Sequence, residues 1–354
     1  MKITKLILSG VMAALSVGAL AQTPPAGQSA PAPQQKPAPI PMTSLDQKTA
    51  EPKPPADPFP PVNPKFFTAT SPTAETVNQF LKQIWGYDPN RMWRVEAVQT
   101  TAAPGVSKVV VFVTDRTPNA KLQTTAFFVT PDGNHAMAGD AVISFGPTPF
   151  AENRKLLQAK ADGAGRGAAS KDLMLVEFAD LQCPHCKDAQ ATMDMLVKDF
   201  PNARIVYQSF PLVDIHPFAF KAAAYGYCVE KQKNDAFFPY AAAVFDAQTA
   251  LTAETGDATL KAAVTKAGLD PAAIDACAST QAVKDELNAS VKLGEAVGVN
   301  QTPMISVNGQ LLPLGGLPYE TLKAIVSYRA VEDGVTGAAP AAATETRKIP
   351  TLGK

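Results

Sequence analysis

Cys183-Pro184-His185-Cys186 directly follows an apolar run, Leu173-Met174-Leu175-Val176-Glu177-Phe178, and directly precedes a helical stretch at 187–200. A strand that hands a Cys-x-x-Cys to the first turn of a helix admits few folds, because a second strand at 203–210 then closes a right-handed βαβ unit. The placement also makes the first thiol acidic, since unpaired helix N–H groups and the macrodipole stabilise a thiolate over a thiol. Cys183, on the more exposed side, is therefore the candidate nucleophile, its thiolate held by the helix N-terminus and by His185. Cys186, one turn in, is the candidate buried resolving thiol. Pro184 suits the first turn because its missing N–H has no intrahelical partner there. The pattern implies thiol–disulfide chemistry.

The start of the chain sets the compartment. Met1-Lys2-Ile3-Thr4-Lys5 is a basic region, residues 6–18 are apolar, and Ala19-Leu20-Ala21 is an A-x-A cleavage site, together the pattern of a secretory signal peptide over 1–21. The alternative is an uncleaved anchor, although the apolar run falls short of the roughly 20 residues that span a bilayer. Export, most simply to a bacterial periplasm, places the cysteines where disulfides persist. With 32 basic and 32 acidic residues, the charge balance implies neither nucleic acid nor an anionic membrane surface as partner. Residues 22–62 hold 13 prolines in 41 positions and cannot bury a core, so they are expected to be a disordered tether. In polyproline form such a tether reaches on the order of 100 Å. Residues 331–354 read as a disordered tail.

Two folded units are expected between these ends. In the first, 63–150, Val77, Phe80, Leu81 and Ile84 mark one helix face, and alternation at 93–100, 107–114, 122–130 and 135–143 marks an antiparallel meander, with Pro131-Asp132-Gly133-Asn134 as a turn. Residues 151–169 read as a linker, a short helix followed by a Gly-rich flexible joint at 162–169. In the second, 170–330, the order is strand, helix, strand, a block of helices within 217–296, two strands meeting at Asn308-Gly309, and a final helix at 318–329. The fold class is α/β: a thioredoxin fold with an inserted helical subdomain, preceded by a small α+β domain.

Glu177 lies six residues before Cys183. Phe210-Pro211-Leu212 with His216-Pro217 follows, then Gly298-Val299 and Thr302-Pro303 with Val307-Asn308-Gly309. This order resembles the DsbA-like branch of the thioredoxin superfamily over roughly 171–328. Residues 127–142 are similar to part of the dimerisation domain of the DsbC/DsbG isomerases. The Cys-Pro-His-Cys dipeptide resembles the oxidase, whereas Thr302 in the place of Val resembles the isomerases. The resemblance implies that Pro303 is a cis-proline opposite the cysteines, with the Thr302 backbone turned out to pair with an extended substrate. Thr302 is then expected beside the sulfurs. Glu177 matches the buried acid of the family, expected to relay a proton to or from Cys186; the alternative is an ordinary strand carboxylate at the rim.

Cys228 and Cys277 are 49 positions apart on two expected helices. In an oxidising compartment two remaining thiols most simply pair, and a second, structural disulfide in some DsbA-like relatives supports this; the alternative is two reduced core cysteines. One Cys-x-x-Cys and three histidines, His135, His185 and His216, do not make a four-ligand zinc site, and no metal or other cofactor is expected. His216 reads as a residue at the start of a helix. The leading function class is a periplasmic thiol:disulfide oxidoreductase acting on unfolded or exported proteins and recycled by a membrane redox partner, with oxidase favoured. A dimer would turn the expectation towards isomerase or reductase. The rival class is a chaperone or assembly adaptor with secondary redox activity.

Overall fold

The structure is a computed structural model that describes residues 57–335 apart from Asp140. The signal peptide at 1–21, most of the expected tether and all but the start of the expected tail lie outside the described residues.

Helix α1 (Ala74–Trp85) begins at Thr73, whose Oγ1 accepts the Thr76 N–H at 3.1 Å. Its face of Val77, Phe80 and Leu81 is buried against a five-stranded antiparallel sheet in the order β1 (Arg91–Thr100), β2 (Ser107–Asp115), β3 (Gln123–Val129), β4 (His135–Ala138) and β5 (Ala141–Ser144). Phe80 packs on Phe127 and Phe145, with ring centroids 5.9 and 4.7 Å away. The single strand expected at 135–143 is a hairpin instead. Gly139, at φ 65°, lets the chain reverse, so that Ala138 pairs with Ala141.

The second sheet has the order β10-β9-β7-β8-β6. Helix α2 (Ala151–Lys160) precedes β6 (Ala164–Gly167), and β7 (Met174–Ala179) runs through α3 (Pro184–Asp199) to β8 (Arg204–Ser209), parallel to β7. Helices α4 (Ala219–Gln232), α5 (Phe237–Asp246), α6 (Gly256–Lys266), α7 (Pro271–Ala278) and α8 (Gln281–Val297) follow, then the antiparallel pair β9 (Met304–Val307) and β10 (Gln310–Pro313), and last α9 (Tyr319–Glu332). All of β7 is buried, as befits a central strand covered on both faces. Alternate residues serve opposite faces: Leu175 joins Met193, Leu196 and Leu322, while Met174, Val176 and Phe178 join Leu157, Leu293 and Val297. Glu177, in phase with Leu175, is thereby turned towards α3. The inserted helices have their own core around Tyr225, Phe237, Tyr240 and Leu260.

The expected flexible joint and the start of the expected disordered tail are structured where described. The Gly-rich joint is the edge strand β6, antiparallel to β8 from Ala164↔Tyr207 to Gly167↔Arg204. The glycines at and just before it serve close approach: a Cβ on Gly163 would lie 2.1 Å from the Tyr207 carbonyl oxygen, and one on Gly167 would lie 2.2 Å from the Ala203 carbonyl oxygen. At the other end, α9 continues to Glu332, beyond the expected boundary at 330. Asp333 then accepts from Asn308 Nδ2 at 2.8 Å and pairs with Arg154 at 3.4 Å, and Val335 packs on the core.

α9 also fastens the first sheet to the second. The Tyr328 hydroxyl donates to the Lys82 carbonyl at 2.8 Å, Arg329 donates to Gln83 Oε1 at 2.7 Å, and Lys82 pairs with Glu332 at 2.9 Å. Arg329 is only 3 % exposed and stacks on Phe150.

Candidate active site

Cys183 caps α3, Pro184 stands in its first turn, and Cys186 lies one turn further in. Both cysteines are free, and both are buried, Cys183 at 4 % exposure. Cys183 is the more exposed of the two, Cys186 being at 0 %. It lines an open cleft of about 570 Å³ together with Pro184, His185, Leu212, Asp214, Ile215, His216 and Thr302. Residues of the helical insertion brace the loop that carries it. Gln248, after α5, donates to the carbonyls of Leu181 and Cys183, both at 3.0 Å, while Gln182 accepts the Phe218 N–H at 2.7 Å.

The two thiols are made unequal. A hydrogen bond from the Cys186 thiol lowers Cys183 most, against the opposing effect of burial; Thr302 and the backbone N–H groups of Cys186 and His185 add to it, bringing Cys183 from 9.0 to about 5. His185 assists through its main-chain N–H, and its imidazole is exposed. Cys186 moves the other way, held protonated far above the ordinary thiol range by burial and then by Cys183. The Asp180 N–H points at Cys186 Sγ, 3.4 Å away.

Thr302 and Pro303 come together with the cysteines, ahead of β9, and the bond between them is cis. The Cys183 thiol lies 3.8 Å from the Thr302 carbonyl oxygen. Thr302 Oγ1 is buried with no hydrogen-bond partner of full geometry, so its action on Cys183 is that of a nearby hydroxyl free to turn to the sulfur.

Glu177 is 2 % exposed, a buried residue of β7 and not a rim carboxylate. Gln190 of α3 donates to Glu177 Oε1 at 2.8 Å and to the Cys186 carbonyl at 3.0 Å, which ties the carboxyl to the helix carrying the thiols. Burial pushes Glu177 from 4.5 up to about 7, partly offset by the Gln190 hydrogen bond. Its cross-strand neighbour Tyr207 has a buried hydroxyl without a partner. Cys228 and Cys277 stand apart from this site: they form a disulfide joining α4 to α7, with Cα atoms 6.1 Å apart.

Sequence reasoning passed over Asp180 and read His216 only as a residue at the start of a helix. His216 Nδ1 lies 2.7 Å from Asp180 Oδ2 at the wall of the cleft, and the Asp180 side chain is fully buried. Only the acidic residue ahead of the Cys-x-x-Cys and the His-Pro ahead of α4 hinted at it.

A strand–helix–strand unit with a Cys-x-x-Cys at the helix start, faced by Thr-Pro before the closing hairpin, defines a thioredoxin fold. Residues 160–327 match the family described as Thioredoxin, in keeping with the order of strands and the helical insertion seen here. Among curated relatives, the chain is 40 % identical over 58 residues to an Na(+)/H(+) antiporter NhaA 1 of Salinispora arenicola, covering 16 % of this chain and 9 % of the relative. It is 30 % identical over 145 residues to an Na(+)/H(+) antiporter NhaA 1 of Mycolicibacterium vanbaalenii, covering 41 % and 23 %. The chain thus spans less than a quarter of the curated relatives it matches. Among the described residues, no helix is long and apolar enough to cross a membrane. Similar solved structures include Proteus mirabilis ScsC in a transitional conformation (22 % identity, 52 % of this chain and 78 % of that one, TM-score 0.44). A periplasmic thioredoxin-like protein of Salmonella enterica serovar Typhimurium is also similar (22 %, 51 % and 97 %, TM-score 0.43), as is oxidised BdbD of Bacillus subtilis (17 %, 47 % and 92 %, TM-score 0.42).

Proposed function

We propose that this chain is an exported thiol:disulfide oxidoreductase that exchanges a Cys183–Cys186 disulfide with cysteines of unfolded or exported proteins, oxidation being favoured. The observation that carries this reading is the unequal thiol pair: Cys183 is brought to about 5 while Cys186 is held protonated. A stabilised thiolate makes the reduced form favourable and the Cys183 sulfur a good leaving group, so the disulfide is a strong oxidant. Periplasmic location rests on the signal-peptide pattern at 1–21. Protein substrates are supported by the rim of the cleft, where Val213 and Ile215 are 56 % and 68 % exposed beside Leu212. A membrane redox partner would reoxidise Cys183 and Cys186 between turnovers. The test compares oxidation of reduced, unfolded ribonuclease with reduction of insulin by the same preparation. Faster ribonuclease oxidation supports the reading, and insulin reduction without ribonuclease oxidation overturns it.

A second reading, isomerase, draws on the first sheet. Among the described residues its last strand, β5, leaves one edge unpaired, with Val142 65 % and Ile143 37 % exposed, beside Phe128 at 39 %. Such an edge invites pairing with a second copy, and a dimer would hold two redox sites around one space. Light scattering at tens of micromolar together with refolding of scrambled ribonuclease tests it. A monomer without refolding activity removes this reading.

A further inference from the structure

His216 has no part in the exchange as described so far, yet it is the best-anchored polar side chain on the cleft wall. Asp180 Oδ2 accepts from His216 Nδ1 at 2.7 Å and from the Leu212 N–H at 2.9 Å, and Asp180 Oδ1 accepts the Gln182 N–H at 2.7 Å. A buried carboxylate acting as acceptor to all three neighbours fixes the proton on Nδ1 and leaves the Nε2 lone pair free. The ring, 17 % exposed, lines the same cleft as Cys183 and Thr302.

We propose that His216 is the general base that takes the proton from an incoming substrate thiol, with Asp180 as the residue that positions it. The inference rests on the exchange reaction proposed above. In the oxidising direction the substrate S–H proton passes to His216 Nε2. The substrate sulfur then attacks Cys183 Sγ, forming a substrate–Cys183 disulfide as the Cys183–Cys186 bond breaks. The electron pair of that bond leaves on Cys186 Sγ, which takes up one proton from water while the imidazolium returns one. A second substrate thiol, deprotonated in the same way, attacks the substrate sulfur and releases Cys183 as its thiolate. The need is plain: a free thiol with a pKa near 8.5 is only a few per cent ionised at about pH 7.

The titratable groups around His216 are Asp180 in the loop before α3, Cys183 and His185 at the start of α3, and Asp214 in its own loop. The facing segment offers Asn300, Gln301 and Thr302, none of which titrates near neutral pH. His216→Gln leaves all of these in place, and its amide can still donate to Asp180.

The experiment follows oxidation of dithiothreitol, and separately of a reduced dithiol peptide, by the oxidised full chain from about pH 5 to 9. For His216→Gln the rate is expected to fall about a hundredfold near pH 6. It should follow the substrate thiolate, tenfold per pH unit, and meet the wild-type rate once the substrate is fully ionised. That meeting cannot come from a misfolded protein. Alkylation of reduced Cys183 should be unchanged, because the variant does not touch the groups that make it acidic. A profile parallel to wild type, with equal loss at every pH, or no loss at all, overturns the assignment. Failure of the wild-type chain to oxidise either substrate would instead overturn the exchange reading beneath it.

Discussion

Thr302→Val removes one hydroxyl from beside the sulfurs and leaves shape and volume nearly unchanged. The Thr302 hydroxyl is buried beside the sulfurs, and of the two thiols only Cys183 is a thiolate that its hydrogen bond can stabilise near neutral pH. A hydrogen bond to a charged group contributes about 1.5–3 kcal/mol. At about 1.4 kcal/mol per pH unit, its loss should raise the Cys183 pKa by about 1–2 from its value of about 5. At pH 7 the reduced protein loses most of that stabilisation. For a two-electron couple this makes the pair more reducing by about 30–60 mV. Equilibration with glutathione buffers, read by the mass gained on alkylation, gives the potential, and ultraviolet titration of the thiolate gives the pKa. The wild-type potential should fall by about 30 mV per pH unit from about pH 6 to 8, because reduction then takes up one proton per two electrons. A wild-type slope of about 60 mV per pH unit over that range, or an unchanged potential in Thr302→Val, would refute the reasoning.

Glu177 should act on stability with a definite sign. Its pKa rises from 4.5 to about 7 on folding, so between these values the folded chain keeps a proton that the unfolded chain has lost. Stability from this site is complete below 4.5 and is lost as pH rises through 7. Glu177→Gln should therefore match wild type near pH 4 and exceed it by up to about 3 kcal/mol above neutral, measured by urea unfolding of the oxidised proteins. Replacing Cys228 and Cys277 together by Ala should lower the unfolding free energy by about 4 kcal/mol, from the entropy of a loop closed over 49 positions, without changing Cys183 alkylation. Ile215→Asp should raise KM for an unfolded protein about tenfold, through lost apolar contact, and leave the rate with dithiothreitol unchanged.

The parts of the site that could be read in the sequence are those in which chemistry and spacing are local. Cys183 to Cys186 follows one apolar strand and opens one helix. Thr302-Pro303 sits immediately before the closing hairpin. The parts that could not be read depend on three-dimensional closure. Asp180 and His216 are 36 positions apart, and nothing local shows that the loop after β8 folds back onto the start of α3. The Cys183 carbonyl is held by Gln248, 65 positions away. Glycine is ambiguous for the same reason: at 162–169 it suggested a joint, but Gly163 and Gly167 let the backbone at β6 press against the backbone at and before β8. At Gly139 the reverse holds, since apolar alternation on both sides concealed the turn that makes two strands of one.

The central claim is that the reduced pair is chemically split, with Cys183 a thiolate and Cys186 a thiol at the pH of the compartment. Its most direct test is brief alkylation of the reduced full chain at about pH 6, with the labelled residue located by mass spectrometry, repeated across pH to give each thiol's rate. The account predicts label on Cys183, with a rate that rises to its plateau around pH 5, and none on Cys186. Equal labelling of the two cysteines, or a Cys183 rate that rises only above about pH 8 like an ordinary thiol, would contradict it.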